Sequence, residues 1–177
     1  MYKRQRKPKS CNTYCVDKNP RTAIYSSNNI IAWFIESLST RDITAIQTKI
    51  KSRETLIISV YLDITLKEVI PESLTAVMKY AIDKRLAILL CVDSNCHSSS
   101  FGIDDNKRGE VLDDFIAAHN LKIENKGTEY TFETTLASTI IDITLSDKLA
   151  VSVTDWTVNK GENFTDHNDI TLSLIHI

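Results

Sequence analysis

The stretch Leu86-Ala87-Ile88-Leu89-Leu90-Cys91-Val92-Asp93-Ser94-Asn95 decides the fold of this chain. Its apolar part is a continuous run of strand length, which is typical of a strand buried on both faces of a sheet. Asp93 and Asn95 follow where the run ends, and open α/β sheets form their sites beyond strand ends. In an extended chain, residues two apart point to the same side, so we expect both side chains in one pocket. The alternative is an Asx turn that ends the strand.

Helical and strand patterns lie on both sides of this run. Helical spacing of apolar residues predicts helices over 66–84, with Pro71 near the start, and over 108–119. Runs rich in β-branched residues predict strands at 45–50 and 55–62, and the continuous apolar run predicts one at 85–92. Further strands are predicted at 22–26, 30–35, 121–124, 129–132, 139–145, 151–158 and 169–175. This pattern favours an α/β sandwich of two facing sheets with outer helices. Only four glycines are present, and no glycine-rich phosphate loop.

The composition is that of one globular domain. The chain has 177 residues, of which 42% are hydrophobic and 25% are charged, and no apolar run is long enough to span a bilayer. We expect residues 1–20 to be an irregular, basic tail and residues 21–175 to form the domain. Residues 1–9 hold five of the 21 basic residues, which leaves 16 basic against 23 acidic residues elsewhere, a net charge of −7. A body this acidic does not hold DNA by a general positive field, so it needs a bound cation or local basic loops.

The four cysteines do not indicate a disulfide framework. A zinc site from Cys11, Cys15, Cys91 and Cys96 is the alternative, but the spacings are loose and Cys91 ends a buried strand. No export signal precedes the domain. We therefore expect reduced thiols in an intracellular protein.

A second polar signature lies inside the apolar stretch Thr139-Ile140-Ile141-Asp142-Ile143-Thr144-Leu145. A carboxylate in such a strand is costly unless it is paired, and His167 is the natural partner. A carboxylate that binds an imidazole favours its charged form, and a charged His167 could hold a phosphate. The alternative places Asp142 on the polar face of a half-exposed strand.

The third signature is Thr165-Asp166-His167, before the strand at 169–175. Asp166 offers an oxygen ligand of the kind that Mg²⁺ prefers, and the alternative is a polar loop between two strands. His97 follows Asn95 closely and is a further candidate for the same cleft, whereas His119 ends a helix, where a cation suits the dipole. Together the three signatures supply the parts of a metal-assisted phosphodiester hydrolase.

The complete set of motifs resembles a known family. The motifs are Val92-Asp93-Ser94-Asn95-Cys96-His97, Lys107-Arg108-Gly109-Glu110, Tyr130-Thr131-Phe132, residues 138–142, Asp155-Trp156 and Thr165-Asp166-His167. In this order they resemble the endonuclease/exonuclease/phosphatase family, and most of all the apurinic-type endonuclease domain of non-LTR, LINE-like retrotransposons. The resemblance extends from about residue 21 to about residue 174 and is densest from Arg85 onward.

The resemblance implies a fold, a cofactor and partners. The fold is a four-layer, deoxyribonuclease-I-like α/β sandwich. The cofactor is Mg²⁺, with Mn²⁺ as an alternative. The implied substrate is DNA, which the domain nicks so that reverse transcription can be primed, and a reverse transcriptase domain belongs to the same full-length polyprotein. No membrane partner is implied. The implied location is intracellular with access to the nucleus, although the sequence carries no clear targeting signal.

The resemblance also implies roles for individual residues. Asp93 would be the base that activates water, and Asn95 would orient that water and the substrate. Asp142 would orient His167, which contacts the phosphate. Asp166 would help to bind the metal.

Tyr61 is a further implied phosphate contact, in Ile58-Ser59-Val60-Tyr61. Ordinary strand packing is the alternative for this residue.

The chain departs from the family at its beginning. The family starts with a strand that carries an asparagine and a second strand that ends in Gln-Glu, whose glutamate is the main metal ligand, and Glu36 stands in the wrong context for that role. The resemblance therefore implies an N-terminally truncated fragment without its first strands and with impaired activity. Residues 1–5 and 173–177 resemble translated sequencing-adaptor fragments, so the alternative to a native basic tail is an artefactual one. Two other functions stay open: a degenerate, non-catalytic module of the same fold, and a hydrolase of small phosphate esters.

Overall fold

The computed structural model describes residues 11–16, 19–102, 104–149, 152–160 and 165–175. The strands are β1 (Cys11–Tyr14), β2 (Ile24–Ser27), β3 (Ala32–Phe34), β4 (Ile43–Ile50), β5 (Arg53–Tyr61), β6 (Ala87–Asp93), β7 (Lys122–Ile123), β8 (Phe132–Glu133), β9 (Ser138–Thr139), β10 (Asp142–Ser146), β11 (Ser152–Asn159) and β12 (Asp169–Ile175). The helices are α1 (Glu72–Lys84) and α2 (Lys107–Ala118), with a short 3₁₀ helix at Glu36–Leu38. In this part of the chain no helix is long and apolar enough to cross a membrane.

Six strands form the central sheet, in the order β3-β4-β5-β6-β10-β7. Strand β6 lies inside it, parallel to β5 and antiparallel to β10. The registers pair Tyr61 with Asp93 on one side and Asp142 with Asp93 on the other. Three polar residues from three separate segments therefore lie in one row across the sheet.

The two faces of the central sheet pack against different layers. Ile88, Leu90 and Val92 belong to a large core with α1 and α2, which contribute the buried residues Leu74, Val77, Met78, Ala81, Leu112, Phe115 and Ile116. Leu89, between them in sequence, packs with Trp156 of the β11–β12 hairpin on the opposite face. Burial of each such side chain contributes about 2 kcal/mol of transfer free energy. The result is a mixed α/β sandwich, which confirms the predicted fold class.

Helix boundaries follow local chemistry. The predicted helix over 66–84 begins only at Glu72, because Pro71 caps it and the residue before a proline is disfavoured in helical conformation. It ends at Arg85, which has a left-handed φ of 53°. Helix α2 begins after Asn106, whose side-chain oxygen accepts a hydrogen bond from Gly109 N at 2.8 Å. A Cβ on Gly109 would lie 1.8 Å from the His97 carbonyl oxygen, so this close approach requires glycine.

Several strand predictions need correction. The predicted strand at 139–145 is two strands, because Ile141 N and Asp142 N donate to Thr131 Oγ1 rather than to a neighbouring strand. The predicted strand at 129–132 is only Phe132–Glu133. Part of the tail expected to be irregular, Cys11–Tyr14, forms a strand because it pairs with Ile24–Ser27. Residues 1–10 of that tail, with its basic run, lie outside the described residues.

Candidate active site

Asp93 is the last residue of β6, as the sequence predicts. Its side chain is 24% exposed, and its Oδ1 atom is buried without a hydrogen-bond partner. Burial, together with the negative charge of Asp142, raises the pKa of Asp93 to about 6, although the nearby His167 opposes this shift. A carboxylate whose pKa lies near neutrality is suited to accept a proton from water.

Asp142 and His167 form the pair that the sequence predicts. His167 Nδ1 lies 2.9 Å from Asp142 Oδ2, and because a carboxylate accepts, Nδ1 carries the proton. The pKa of His167 is raised above its ordinary value, mainly by this hydrogen bond and against the opposing effect of burial. Its Nε2 lies 3.8 Å from Asp93 Oδ2. The imidazole therefore bridges the two carboxylates.

The strands explain why these three groups meet. Asp142 begins β10 directly opposite Asp93. Its side chain is 17% exposed, so it is neither fully buried in the core nor on a half-exposed face of the strand. His167 precedes β12 and forms an isolated bridge with Phe132. The Phe132 ring meets the imidazole edge-on, at 4.9 Å between centroids.

Thr131 supports the pair, and the sequence reasoning missed it. The residue is fully buried, and its Oγ1 accepts hydrogen bonds from Ile141 N at 3.1 Å and Asp142 N at 3.0 Å. It fixes the backbone on which Asp142 stands. The sequence offered one indication of Thr131, its place in the motif Tyr130-Thr131-Phe132, but that motif predicted no role for an individual residue.

Asn95 does not share a pocket with Asp93 as we expected. The prediction assumed an extended chain, but Asn95 has a left-handed φ of 48°, which turns its side chain away. Its Nδ2 donates to the Leu62 carbonyl oxygen at 3.0 Å. Its backbone N–H instead donates to the Asp93 carboxylate and opposes the rise in pKa. The Asn95 side chain therefore binds the backbone of Leu62, directly after β5.

Tyr61 lies beside Asp93 in the sheet. Arg21, which the sequence did not indicate as a residue of this site, packs over the Tyr61 ring. The guanidinium of Arg21 lies 4.5 Å from the centroid of the Tyr61 ring. Arg21 also forms ion pairs with Asp42 and, at 2.5 Å, with Asp63. The sequence did not predict these contacts, because a single arginine in a polar segment does not show which side chains it will meet.

A cavity of about 290 Å³ opens between the central sheet and β12. It is lined by Arg21, Thr22, Ser59, Val60, Tyr61, Cys91, Val92, Asp93, Asp142, Ile143, Thr144, Ile170 and Leu172. The lining combines charged and polar side chains, among them Arg21, Asp93 and Asp142, with apolar ones such as Ile170 and Leu172. The volume is close to the lower limit for a small-molecule pocket.

The remaining candidates lie elsewhere. Asp166 is exposed, and its carbonyl oxygen accepts from Glu133 N at 2.8 Å. His97 lines a separate small cavity with Tyr130 rather than the cleft of Asp93, so that expectation is wrong. His119 stacks on Phe115, at 4.4 Å between ring centroids, and its Nδ1 lies 3.0 Å from the Phe115 carbonyl oxygen.

One group of residues could hold a metal ion in the part of the chain that the structure describes. One ligand atom each from Asp93, Asp142 and His167 lie within 4.8 Å of one another, whereas neither Asp166 nor any cysteine belongs to this group. The four cysteines all lie in the described part of the chain and form no disulfide there. Two carboxylates suit a hard divalent cation, and the unpartnered Asp93 Oδ1 offers an oxygen for it. The residues present therefore fit a divalent metal.

Comparison with solved structures shows the fold. The endonuclease domain of TRAS1, a telomere-specific non-LTR retrotransposon, matches with a TM-score of 0.77 and 18% identity over 93% of this chain and 80% of that chain. A mannosyl-6-phosphatase from Bacteroides thetaiotaomicron matches with a TM-score of 0.57 and 14% identity over 94% and 78%. A 3'-5' exonuclease from Neisseria meningitidis matches with a TM-score of 0.57 and 15% identity over 86% and 74%. No curated protein matches the sequence.

Comparison with family models shows the family. The model described as endonuclease-reverse transcriptase matches residues 55–171, about two thirds of the chain, and this region includes Asp93, Asp142 and His167. The match and the fold together support a hydrolytic enzyme of the nuclease or phosphatase kind. The chain therefore belongs to the endonuclease-reverse transcriptase family.

Proposed function

We propose that this chain is a divalent-metal-dependent endonuclease domain that nicks DNA and belongs to the polyprotein of a non-LTR retrotransposon. The observation that supports it best is the Asp142–His167 hydrogen bond beside the carboxylate of Asp93, whose Oδ1 has no hydrogen-bond partner. In this role the domain would act in the nucleus, next to a reverse transcriptase domain of the same polyprotein. The family match and the fold similarity to the TRAS1 endonuclease domain are consistent with this role.

Asp93 would be the general base. Its carboxyl loses its proton at about pH 6, so at neutral pH it is ionised and able to accept a proton from the attacking water. Its Oδ2 lies 3.8 Å from His167 Nε2, beside the group that would bind the phosphate. The Asn95 N–H donates to the same carboxylate and so restricts rotation of the Asp93 side chain.

His167 would bind the phosphate that is cleaved. Asp142 accepts the Nδ1 proton, so the imidazole keeps a fixed orientation and favours its charged form. The charged ring carries a second proton on Nε2, which can be donated to a phosphoryl oxygen as negative charge develops there. Tyr61 lies on the other side of Asp93 in the same row, where its hydroxyl is a candidate second donor. Asn95 stays a candidate for orienting the water and the substrate.

The metal would be Mg²⁺, with Mn²⁺ as an alternative. Asp166, next to His167, would help to hold it, together with the Asp142 oxygen that does not accept from His167. When bound, the cation neutralises charge on the phosphoryl group and on the leaving oxygen. Since only two carboxylates belong to the group that could bind a metal, we expect weak binding and an impaired rate that rises up to millimolar Mg²⁺.

A plasmid-nicking assay tests this function. The purified chain would be incubated with supercoiled plasmid in Mg²⁺, in Mn²⁺ and in EDTA, beside the variants Asp93→Asn and His167→Gln. We expect open circles in Mg²⁺ and none in EDTA. Because each variant removes a group that transfers or supplies a proton, we expect a loss of about 100-fold or more. The exposed Asp114→Asn variant controls for the change in charge.

Two other results would replace the proposal. Nicking that is the same in the wild type and in Asp93→Asn would identify a contaminating nuclease and favour a degenerate, non-catalytic module. Release of phosphate from sugar phosphates without nicking would favour a hydrolase of small phosphate esters. Small phosphate esters are tested because one of the structurally similar proteins is a mannosyl-6-phosphatase.

A further inference from the structure

The carboxylate of Glu133 holds both ends of the connection between β11 and β12. Lys160, which follows β11, donates from Nζ to Glu133 Oε1 at 3.2 Å. Asn168, which precedes β12, donates from Nδ2 to Glu133 Oε2 at 2.9 Å. His167 is the neighbour of Asn168 in this connection. One side chain on β8 therefore binds both the residue that follows β11 and the residue that precedes β12.

The backbone of the same segment binds the end of the connection next to β12 directly. Glu133 N donates to the Asp166 carbonyl oxygen at 2.8 Å, and Asn168 N donates to the Thr131 carbonyl oxygen at 2.7 Å. Both bonds lie within one residue of His167. At the other end, Lys160 binds Glu133 and its Nζ lies 5.9 Å from the centroid of the Tyr130 ring. The ladder of β11 and β12 pairs Asn159 with Asp169, and the Glu133 side chain adds a link from β8 to the residues beside both of them.

The charges of this network suit a place beside a phosphate site. Asn168 and Lys160 hold the pKa of Glu133 below its usual value, so the carboxylate is ionised at neutral pH and accepts from both partners. An uncompensated carboxylate here would repel an anionic substrate, and Lys160 neutralises it. Glu133 does not belong to the group formed by Asp93, Asp142 and His167, so it acts at a distance from the reacting atoms.

We propose that Glu133 is a positioning residue that, through Lys160 and Asn168, holds His167 against Asp142. This role deepens the proposed phosphodiester cleavage and rests on it. A group displaced slightly from its productive geometry loses rate while the substrate still binds. Loss of Glu133 should therefore lower kcat and leave KM nearly unchanged.

The test combines kinetics with a spectroscopic signal from His167. A histidine Nδ1 proton that is bonded to a carboxylate gives a downfield proton resonance, which His167→Gln would assign. In Glu133→Ala we expect this resonance to shift or broaden, and kcat for plasmid nicking to fall about tenfold. In Glu133→Gln, which keeps an acceptor for Asn168, we expect the resonance to be retained and kcat to stay within about threefold of the wild type. Glu129→Ala removes an exposed carboxylate three residues before β8 and is the matched control.

The outcomes separate this inference from the proposed function. If Glu133→Ala behaves like Glu129→Ala in both resonance and kcat, the positioning role is wrong. If the resonance changes in Glu133→Ala but the wild type does not nick DNA in Mg²⁺, the positioning role stands and the proposed function falls. If Glu133→Ala does not fold, Lys160→Met replaces it, since this variant removes only one end of the link. An unchanged resonance and kcat in Lys160→Met would then overturn the positioning role.

Discussion

Asp93 ends β6 with one oxygen buried and unpartnered, and its pKa is raised to about 6. A raised carboxyl pKa means that the native state binds a proton more tightly than the unfolded chain does. Stability from this group is therefore fully present below the unfolded pKa and is lost as pH rises through about 6. The residue that would perform the chemistry thus destabilises the metal-free fold at neutral pH.

Replacement of this residue should stabilise the protein without metal. In EDTA at pH 8, we expect Asp93→Asn to raise the free energy of unfolding by about 2 kcal/mol, because it removes a poorly solvated charge. At pH 4 the gain should vanish, since the wild-type carboxyl is then protonated in the native state. Urea unfolding at both pH values checks this, with the exposed Asp114→Asn as the control. A gain that is equal at pH 4 and pH 8 would contradict the charge-based explanation.

The segment around β8 and β9 is the element that organises the site. Its Thr131 holds the start of β10, its Phe132 contacts His167, and its Glu133 binds both ends of the β11–β12 connection. Strand periodicity predicted this segment poorly, because its strands have two residues each and its key bonds run from a side chain to the backbone. The long strands around β6 were predicted well, since their apolar runs determine burial directly.

Thr131→Val tests this element. The two side chains have nearly the same shape, but valine leaves Ile141 N and Asp142 N without the acceptor that Thr131 Oγ1 provides. We expect a loss of about 1–3 kcal/mol in the free energy of unfolding. Thr131→Ser keeps the hydroxyl and should recover most of it. Urea unfolding of the three proteins measures the difference. A larger loss in the serine variant than in the valine variant would show that packing of the methyl group dominates instead, because valine keeps that methyl group and serine lacks it.

At the scale of the whole molecule, Arg21 joins segments that are distant in sequence. It contacts Asp42 before β4, Tyr61 at the end of β5 and Asp63 beyond it. The row of Tyr61, Asp93 and Asp142 could be expected from strand ends and a family resemblance. The position of Arg21 could not, because nothing in a single sequence shows which carboxylates a lone arginine will meet. The turn at Asn95 was also missed, because a left-handed residue overrides the two-residue alternation of a strand.

The Arg21 network should give the stability a defined dependence on pH. Arg21 holds the pKa of Asp63 well below its usual value, so the stability it contributes is present above about pH 4 and is lost as pH falls. We expect Arg21→Met to lower the urea midpoint at pH 7 and to lower it less at pH 3. Lys79→Met, which breaks the exposed Lys79–Asp83 pair, should change little at either pH. If Arg21→Met lowered the urea midpoint as much at pH 3 as at pH 7, the effect would come from packing of Arg21 on Tyr61 and not from its ion pairs.

The row of Tyr61, Asp93 and Asp142 also has a consequence for folding kinetics. Its members come from segments far apart in sequence, and they meet only when β5, β6 and β10 have all paired. Non-local pairing of this kind is slow to form, because loop-closure entropy is lost before the contacts are gained. Partly folded chains would therefore have no complete metal site. A divalent cation would bind the native state alone, so it would slow unfolding without accelerating refolding.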